Sequence, residues 1–224
     1  MELFESITLD DYYNDKEICK QITIFFENES IESFDPNHVD INKLWRFLIV
    51  GFSASNDIMD ERKDRSEKYN YEEYDNTIKY ILDKLDVSAQ NTRVLSQVCP
   101  YDNCTLLMRF TTRNRISAHS IKLLVLKHKV DVFVTCSTED KDYTNKNAMY
   151  MLFRTLKNTT SQKYKFKISR KIYTFLKVCL IRRINVQALC KDIKELVDLP
   201  EIQSVLNHED AAQTKELLQR LKLI

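Results

Sequence analysis

A single glycine, Gly51, and only three prolines occur in the 224 residues of the chain. Glycine supplies the backbone freedom that the Walker loop and the dinucleotide-binding fingerprint require. One glycine therefore excludes both nucleotide-binding motifs. The scarcity of glycine and proline also argues against a turn-dense β-sandwich and against long flexible linkers. The apolar fraction of 43% is enough to bury a core in one large domain or two small ones.

The charge of the chain is divided along its length. Residues 1–90 carry 21 acidic and 10 basic side chains, whereas residues 91–190 carry 5 acidic and 19 basic ones. The last 34 residues are close to balance, so the formal net charge is only +1. A strongly basic middle favours a polyanionic partner. A solvated basic face is the alternative, and the acidic N-terminal region is a candidate shield for that face.

Targeting signals are not evident in the sequence. No run of 18 apolar residues predicts a membrane-spanning helix, and the N-terminal residues carry acids where a signal peptide needs bases. We therefore expect an intracellular protein, in the cytoplasm or nucleus of a host cell, that does not bind membranes. Its cysteines are then expected to be free thiols: Cys19, Cys99, Cys104, Cys136, Cys179 and Cys190.

The period of the hydrophobic pattern changes along the first two thirds of the chain. Helical spacing predicts helices over 15–34, 71–86 and 117–127, with a charged loop over 53–70. Short apolar or alternating runs predict strands over 44–52, 94–99, 105–111 and 130–136, with a turn at 99–104. The order β-α-β-β-α-β is the pattern of a ferredoxin-like domain in the α+β class.

The remaining sequence predicts a small α/β extension and a helical tail. Ser137 and Asp140 fit a capping box that opens a helix through Leu156. Strict alternation over 163–168, followed by 171–176, predicts a β-hairpin with Lys163, Lys165 and Lys167 on one face and Tyr164, Phe166 and Ile168 on the other. Residues 186–222 are predicted to be helical and broken at Pro200. The expected divisions are 1–43, 44–136, 137–177 and 178–224.

Six segments carry a resemblance to a known family: FLIVGF (47–52), NTIKYILDKLDV (76–87), TLLMRFTTRNR (105–115), VDVFVTCSTEDK (130–141), LFRTLK (152–157) and KYKFKISRKIYTFLK (163–177). In order and pattern they resemble the baculovirus few-polyhedra (FP) protein family and, more distantly, the RNA-binding chaperone of LINE retrotransposons. The resemblance implies a viral protein with an RNA-recognition-motif-like (RRM-like) domain. It also implies backbone contacts by Lys and Arg, because the expected sheet aromatics are missing, with Leu48 in the place of one ring.

Basic residues on three consecutive predicted units form the candidate nucleic-acid-binding site. Several such phosphate contacts give salt-sensitive, sequence-tolerant binding. The candidates are Arg109, Arg113, Arg115, Lys122, Lys127, Lys129, Lys146, Lys163, Lys165, Lys167, Arg170 and Lys171.

The sequence gives less support to a metal site or a catalytic site than to a nucleic-acid-binding surface. The spacing of Cys99 and Cys104 suits zinc, but His119 and His128 do not complete a finger pattern. Nothing in the sequence positions Cys136 and His119 as a nucleophile and base, so two packed thiols at a turn and a packed Cys136 are expected instead. We therefore expect a non-enzymatic protein without a cofactor.

The sequence thus predicts a non-catalytic protein that binds single-stranded RNA or DNA with low sequence specificity, and RNA is the expected ligand. The runner-up is a protein-interaction adaptor that uses the basic face and the C-terminal helices. Those helices, with Leu217, Leu218, Leu221 and Leu223, also offer a face for a homo-oligomer or a protein partner.

Overall fold

One long helix, Gln162–Ile181, organises the structure. The computed structural model describes residues 34–49, 71–113, 116–136 and 144–224, with the backbone alone for 71–74. In these ranges, all the regular elements are helical. They are a 3₁₀ turn Pro36–His38, α1 (41–49), α2 (Tyr71–Lys84), α3 (Ala89–Leu95), α4 (Leu106–Thr112), α5 (Ala118–Lys122) with a π-helical turn Leu123–Lys127, α6 (Ala148–Asn158), α7 (Gln162–Ile181), α8 (Val186–Leu189), α9 (Lys194–Val197), α10 (Pro200–Leu206), a 3₁₀ turn Glu209–Ala211 and α11 (Ala212–Arg220).

The buried side chains of α7 recur at helical spacing. Ile168, Ile172, Phe175, Leu176 and Cys179 are all fully buried and face the core. Around this face α7 packs against α5 and its π-helical turn, against α6, and against the C-terminal helices α8, α10 and α11. The opposite face of α7 is therefore displayed on a surface that many elements hold in place.

The predicted β-hairpin over 163–176 is wrong, because these residues lie within α7. Strict alternation covers only Lys163–Ile168, and a run of six residues is too short to establish a period of two. Over the longer window the apolar residues repeat every three or four positions, which is the helical period. Lys163 and Lys167 consequently share one side of a helix, whereas Lys165 is turned away from them.

The predicted first strand, 44–52, is also wrong within its described part, because residues 41–49 are helical. The Asp40 carboxylate accepts from the backbone N–H groups of Asn42 (2.9 Å) and Lys43 (3.2 Å), as an N-cap does. Ile41, Leu44, Trp45 and Leu48 are buried at helical spacing. An apolar run of this length does not by itself distinguish a buried strand from a buried helix, and the cap decides between them.

The third predicted strand, 105–111, is helix α4. Its N-cap is Thr105, whose hydroxyl accepts from the backbone N–H of Met108 at 3.2 Å. Every residue from Leu106 to Thr111 is buried, so the segment has no polar face and no amphipathic period.

The second and fourth predicted strands do not form either. Residues 94–99 include the end of α3, and 130–136 are irregular, with only Thr135 in an isolated bridge. In the described part of the chain, β-pairing is limited to two isolated bridges, Val98 with Thr105 and Thr135 with Asn147. The α+β, ferredoxin-like and RRM-like fold is therefore wrong, and the described chain is mainly helical.

Two predicted helices, one predicted turn and the predicted helical tail are present in the structure. Helices predicted over 71–86 and 117–127 correspond to α2 and to α5 with its π-helical turn. The turn at 99–104 is present, with the N–H of Cys99 donating to the carbonyl of Cys104 at 2.9 Å. Residues 186–222 are largely helical, and the helices are interrupted between Val197 and Pro200, which begins α10. Predictions for 15–34, 53–70 and the capping box at 137–140 lie outside the described residues, and the proposed domain boundaries stay a prediction.

Among the left-handed residues that are not glycine, two directly follow the C-caps of α-helices. Arg183 (φ 56°) follows α7 and Lys222 (φ 54°) follows α11. At each end, two N–H groups fold back onto the last turn: Arg183 donates to the carbonyl of Leu180 and Ile184 to that of Cys179, both at 2.9 Å. This is the Schellman arrangement, in which glycine is the usual residue.

The helical state of α7 makes a specific prediction about adjacent residues. Phe175 and Leu176 are both fully buried, which a helix permits and an alternating strand does not. We expect Phe175→Ala to cost about 3–5 kcal/mol and Leu176→Ala about 2–5 kcal/mol in the free energy of unfolding, measured by denaturant titration. The exposed neighbour Lys177→Ala should change it by less than about 0.5 kcal/mol. A large cost at only one of the two apolar positions would contradict the helix.

Candidate nucleic-acid interface

Four exposed bases lie along the outer side of α7. Lys163, Lys167, Arg170 and Lys177 are separated by four, three and seven residues, so they fall within one narrow strip of the helix surface. Between the first and the last, the helix rises about 21 Å. We call these four residues the basic row.

The electrostatic surroundings of the basic row leave its charge largely uncompensated. No Asp or Glu occurs between Asp142 and Asp192 in the sequence. None of the four side chains makes a salt bridge with a described residue. The acids of the elements that pack against α7 are Glu201 in α10, Glu209 and Asp210 in the 3₁₀ turn, and Glu216 in α11. The row is therefore a surface on which an anion meets four cations within one helix length.

Aromatic rings accompany the basic row at both ends. The Lys167 ammonium lies 5.6 Å from the ring centroid of Tyr164, and that of Lys177 lies 5.6 Å from the ring of Tyr173. These are cation–π distances. Both tyrosines are half-buried, so part of each ring stays at the surface beside the cations.

Two of the predicted nucleic-acid-binding bases are buried inside the protein. The Arg109 guanidinium is 3% exposed, contacts the Asp102 carboxylate at 2.6 Å and donates to the carbonyl of Ile49 at 3.2 Å. The Lys171 ammonium is 1% exposed and donates to the carbonyl of Phe110 at 3.0 Å and to that of Arg113. Both side chains bind protein groups and are withdrawn from any external ligand.

The Lys127 side chain also makes hydrogen bonds within the protein. It donates to the carbonyls of Leu82 (3.3 Å) and Asp83 at the carboxyl end of α2. The buried His128 ring joins it, with Nε2 2.6 Å from the Leu82 oxygen. Since that oxygen can only accept, Nε2 carries the proton, and burial lowers the pKa of His128 below its usual value of 6.5.

The other predicted bases are divided between surface and interior. Lys146 lies 3.6 Å from the Asp192 carboxylate and 4.8 Å from the Tyr150 ring centroid. Lys122 and Lys129 are exposed, whereas Lys165 and Arg113 are half-buried. Arg115 lies outside the described residues. The structure thus brings Lys163, Lys167 and Arg170 together and separates them from the buried Arg109 and Lys171.

Sequence reasoning missed three bases that matter here. Lys177 belongs to the basic row, and Arg183 is exposed just beyond it. The Arg182 guanidinium donates to the carbonyls of Val125 and Val130, both at 3.0 Å, and so binds the end of the π-helical turn. The signal for Lys177 was present in the sequence, because positions 163, 167, 170 and 177 follow a helical period.

The described cysteines and histidines are not arranged as a metal site. Among the described residues, no group of three or more His, Cys, Asp or Glu side chains is arranged to hold a metal ion. Cys104 has its sulfur against Cys136, at 3.4 Å, and His119 is exposed. The described chain also contains no helix that is both long enough and apolar enough to cross a membrane.

No family model matches the chain, and neither a curated protein nor a solved structure is significantly similar to it. The resemblance to the few-polyhedra family therefore stays a prediction. The RRM-like fold that it implied is wrong for the reasons given above.

The buried Lys171 makes stability depend on pH. Burial lowers its pKa from 10.5 to about 7, with Asp75 opposing the shift and Lys167 adding to it. Between these two values the unfolded chain binds the proton more strongly, so the free energy of unfolding rises with pH and falls as pH drops towards 7. From pH 7 to 9 we expect the wild type to gain about 1–2 kcal/mol relative to Lys171→Met in denaturant titrations.

The control for this experiment is Lys163→Met, which removes an exposed ammonium from the same helix and should follow the wild-type pH profile. The range stops near pH 9 because most thiols of the unfolded chain are ionised above it, and their contribution below it is common to the wild type and both variants. Parallel profiles for the wild type and Lys171→Met would contradict the assignment of the pH dependence to Lys171.

Proposed function

We propose that the protein binds single-stranded nucleic acid, without catalysis and with little sequence preference, through the basic row on α7. The observation that carries this proposal is the alignment of Lys163, Lys167, Arg170 and Lys177 on one exposed side of a helix, with no salt bridge to a described residue. Phosphate groups that pair with such cations release condensed counterions, which favours binding at low salt.

The geometry supports contacts to the backbone more than readout of the bases. Four cations spread over about 21 Å suit a linear polyanion. Lysines are compact point charges, which recognise phosphate without directional specificity. The exposed parts of Tyr164 and Tyr173 offer rings for unpaired bases, and stacking on a ring tolerates any base. These rings favour a single strand over a duplex, whose bases are already stacked.

Rigidity also supports the proposal. The buried side of α7 packs against helices that precede it and helices that follow it in the sequence, so the basic row does not rely on a loop for its shape. A surface that is ordered before binding loses little conformational entropy when the ligand arrives.

An acidic protein partner is the competing function. It is favoured by Leu180 and Ile181, which are 41% and 59% exposed at the carboxyl end of α7 next to the basic row. An acidic segment with an apolar anchor would match this combination of cations and exposed aliphatic groups. Such a partner would account for the basic row without any affinity for nucleic acid.

The proposal is tested by replacing three bases of the row together. Lys163→Gln, Lys167→Gln and Arg170→Gln should weaken binding to a short fluorescent oligo(U) strand. The slope of log K against log salt should become shallower by about two units, since each single-strand phosphate contact contributes about 0.7. The measurement is fluorescence anisotropy between about 50 and 200 mM salt.

A matched control removes three exposed bases outside α7: Lys191→Gln, Lys194→Gln and Arg220→Gln. Both triple variants lose the same charge, so only the location differs, and thermal melts verify that both remain folded. The control should keep nearly the wild-type slope. Absence of wild-type binding at low salt would overturn the proposal in favour of the acidic partner, and equal losses in both variants would show that the net charge, not the basic row, drives binding. A duplex of the same length should bind more weakly than the single strand.

A further inference from the structure

Two cysteines from distant parts of the sequence have their sulfur atoms in contact. Cys104 Sγ and Cys136 Sγ are 3.4 Å apart, although 32 positions separate the residues. Each lies in a segment held by backbone hydrogen bonds. The carbonyl of Cys104 accepts from Cys99 at 2.9 Å, and the N–H of Cys136 donates to the carbonyl of Lys146 at 2.9 Å. The contact therefore joins two fixed segments.

The two thiols differ in their access to solvent. Cys136 is fully buried, and its sulfur lies 3.6 Å from the carbonyl oxygen of Asp102. Cys104 is only half-buried. Cys104 is thus the more accessible of the two residues, which makes it the candidate for the attacking thiol and Cys136 the candidate for the resolving thiol.

We propose that Cys104 and Cys136 form a reversible disulfide when the protein meets a peroxide. The Cys104 thiolate attacks one peroxide oxygen, so that an S–O bond forms, the O–O bond breaks and the other oxygen leaves as water after taking a proton. Cys136 then attacks the Cys104 sulfur, which forms the S–S bond and breaks the S–O bond. The hydroxyl leaves as water with the Cys136 proton. Two thiols and one hydrogen peroxide thus give one disulfide and two water molecules.

The geometry requires only a small movement for this reaction. The sulfur atoms must approach by about 1.4 Å to reach the length of a disulfide bond. Burial, and then the charge of Asp102, raise the pKa of the Cys104 thiol, so little thiolate is present at neutral pH. The reaction is therefore slow at neutral pH and accelerates as pH rises.

The disulfide would fasten together the two ends of a segment that contains α4, α5 and the π-helical turn. Closing such a loop restricts the unfolded chain and stabilises the native one. Reduction by dithiothreitol restores both thiols. The ends of the segment are therefore cross-linked under oxidising conditions and free of the cross-link under reducing conditions.

The test is to oxidise the full chain with hydrogen peroxide, block the remaining thiols with N-ethylmaleimide, digest with trypsin and analyse the peptides by mass spectrometry. The expected product links the peptide that contains Cys136 to the one that contains both Cys99 and Cys104. Cys99→Ser should keep this link, and Cys104→Ser should lose it. The melting temperature of the oxidised wild type should rise by about 5–10 °C and return after reduction.

Several results would overturn the proposal. These are a sulfinic acid at Cys104 with Cys136 still reduced, a link between Cys104 and Cys99, or a first link between Cys179 and Cys190. Fragmentation spectra of the linked wild-type peptides assign the bond to Cys104 or to Cys99 without any variant, and a bond between Cys99 and Cys136 would also overturn the proposal, so the test does not depend on how a serine substitution folds.

Discussion

The inward-facing carboxyl ends of helices are the constraint on which this structure depends. A helix leaves its last four carbonyl groups without partners, and each one that is buried and unpaired costs about 1–3 kcal/mol. Here basic side chains from elsewhere in the chain supply the donors. Lys127 binds the end of α2, Lys171 the end of α4 and Arg182 the end of the π-helical turn. The positive charges of Lys127 and Arg182 also suit the negative end of the helix dipole.

Because these basic side chains bind carbonyl groups inside the protein, the excess of bases in the middle of the sequence does not all lie on the surface. Residues 91–190 hold 19 bases against 5 acids, which by itself favours a polyanionic ligand. Several of those bases complete the fold and are withdrawn from solvent. The field that a ligand meets therefore comes from a smaller group, in which the four bases of the basic row are the most closely aligned. A count of lysines and arginines overstates the binding surface.

Some of the fold could be predicted from the sequence, and the reasons for the failures are physical. Helix α2 was predictable because it has one apolar side, and the pattern at α5 was clear for the same reason. Helix α4 is buried on all sides, so no period marks it. The start of helix α7 was predicted to be a strand because polar and apolar residues alternate over 163–168. Three bases of the basic row were named beforehand, but only the helix shows that they are aligned, that Lys177 joins them and that Lys171 faces inwards.

The left-handed backbone conformation of Arg183 and Lys222 restricts which residues related sequences can have at these two positions. A chain with one glycine closes these two helix ends with long basic side chains at a backbone geometry that costs any residue with a Cβ some strain. Related sequences should place glycine, asparagine or another unbranched residue at these positions. Valine and isoleucine should be missing there, because branching at Cβ makes positive φ a severe clash. These two positions would thus help to recognise distant relatives whose surface charges have diverged.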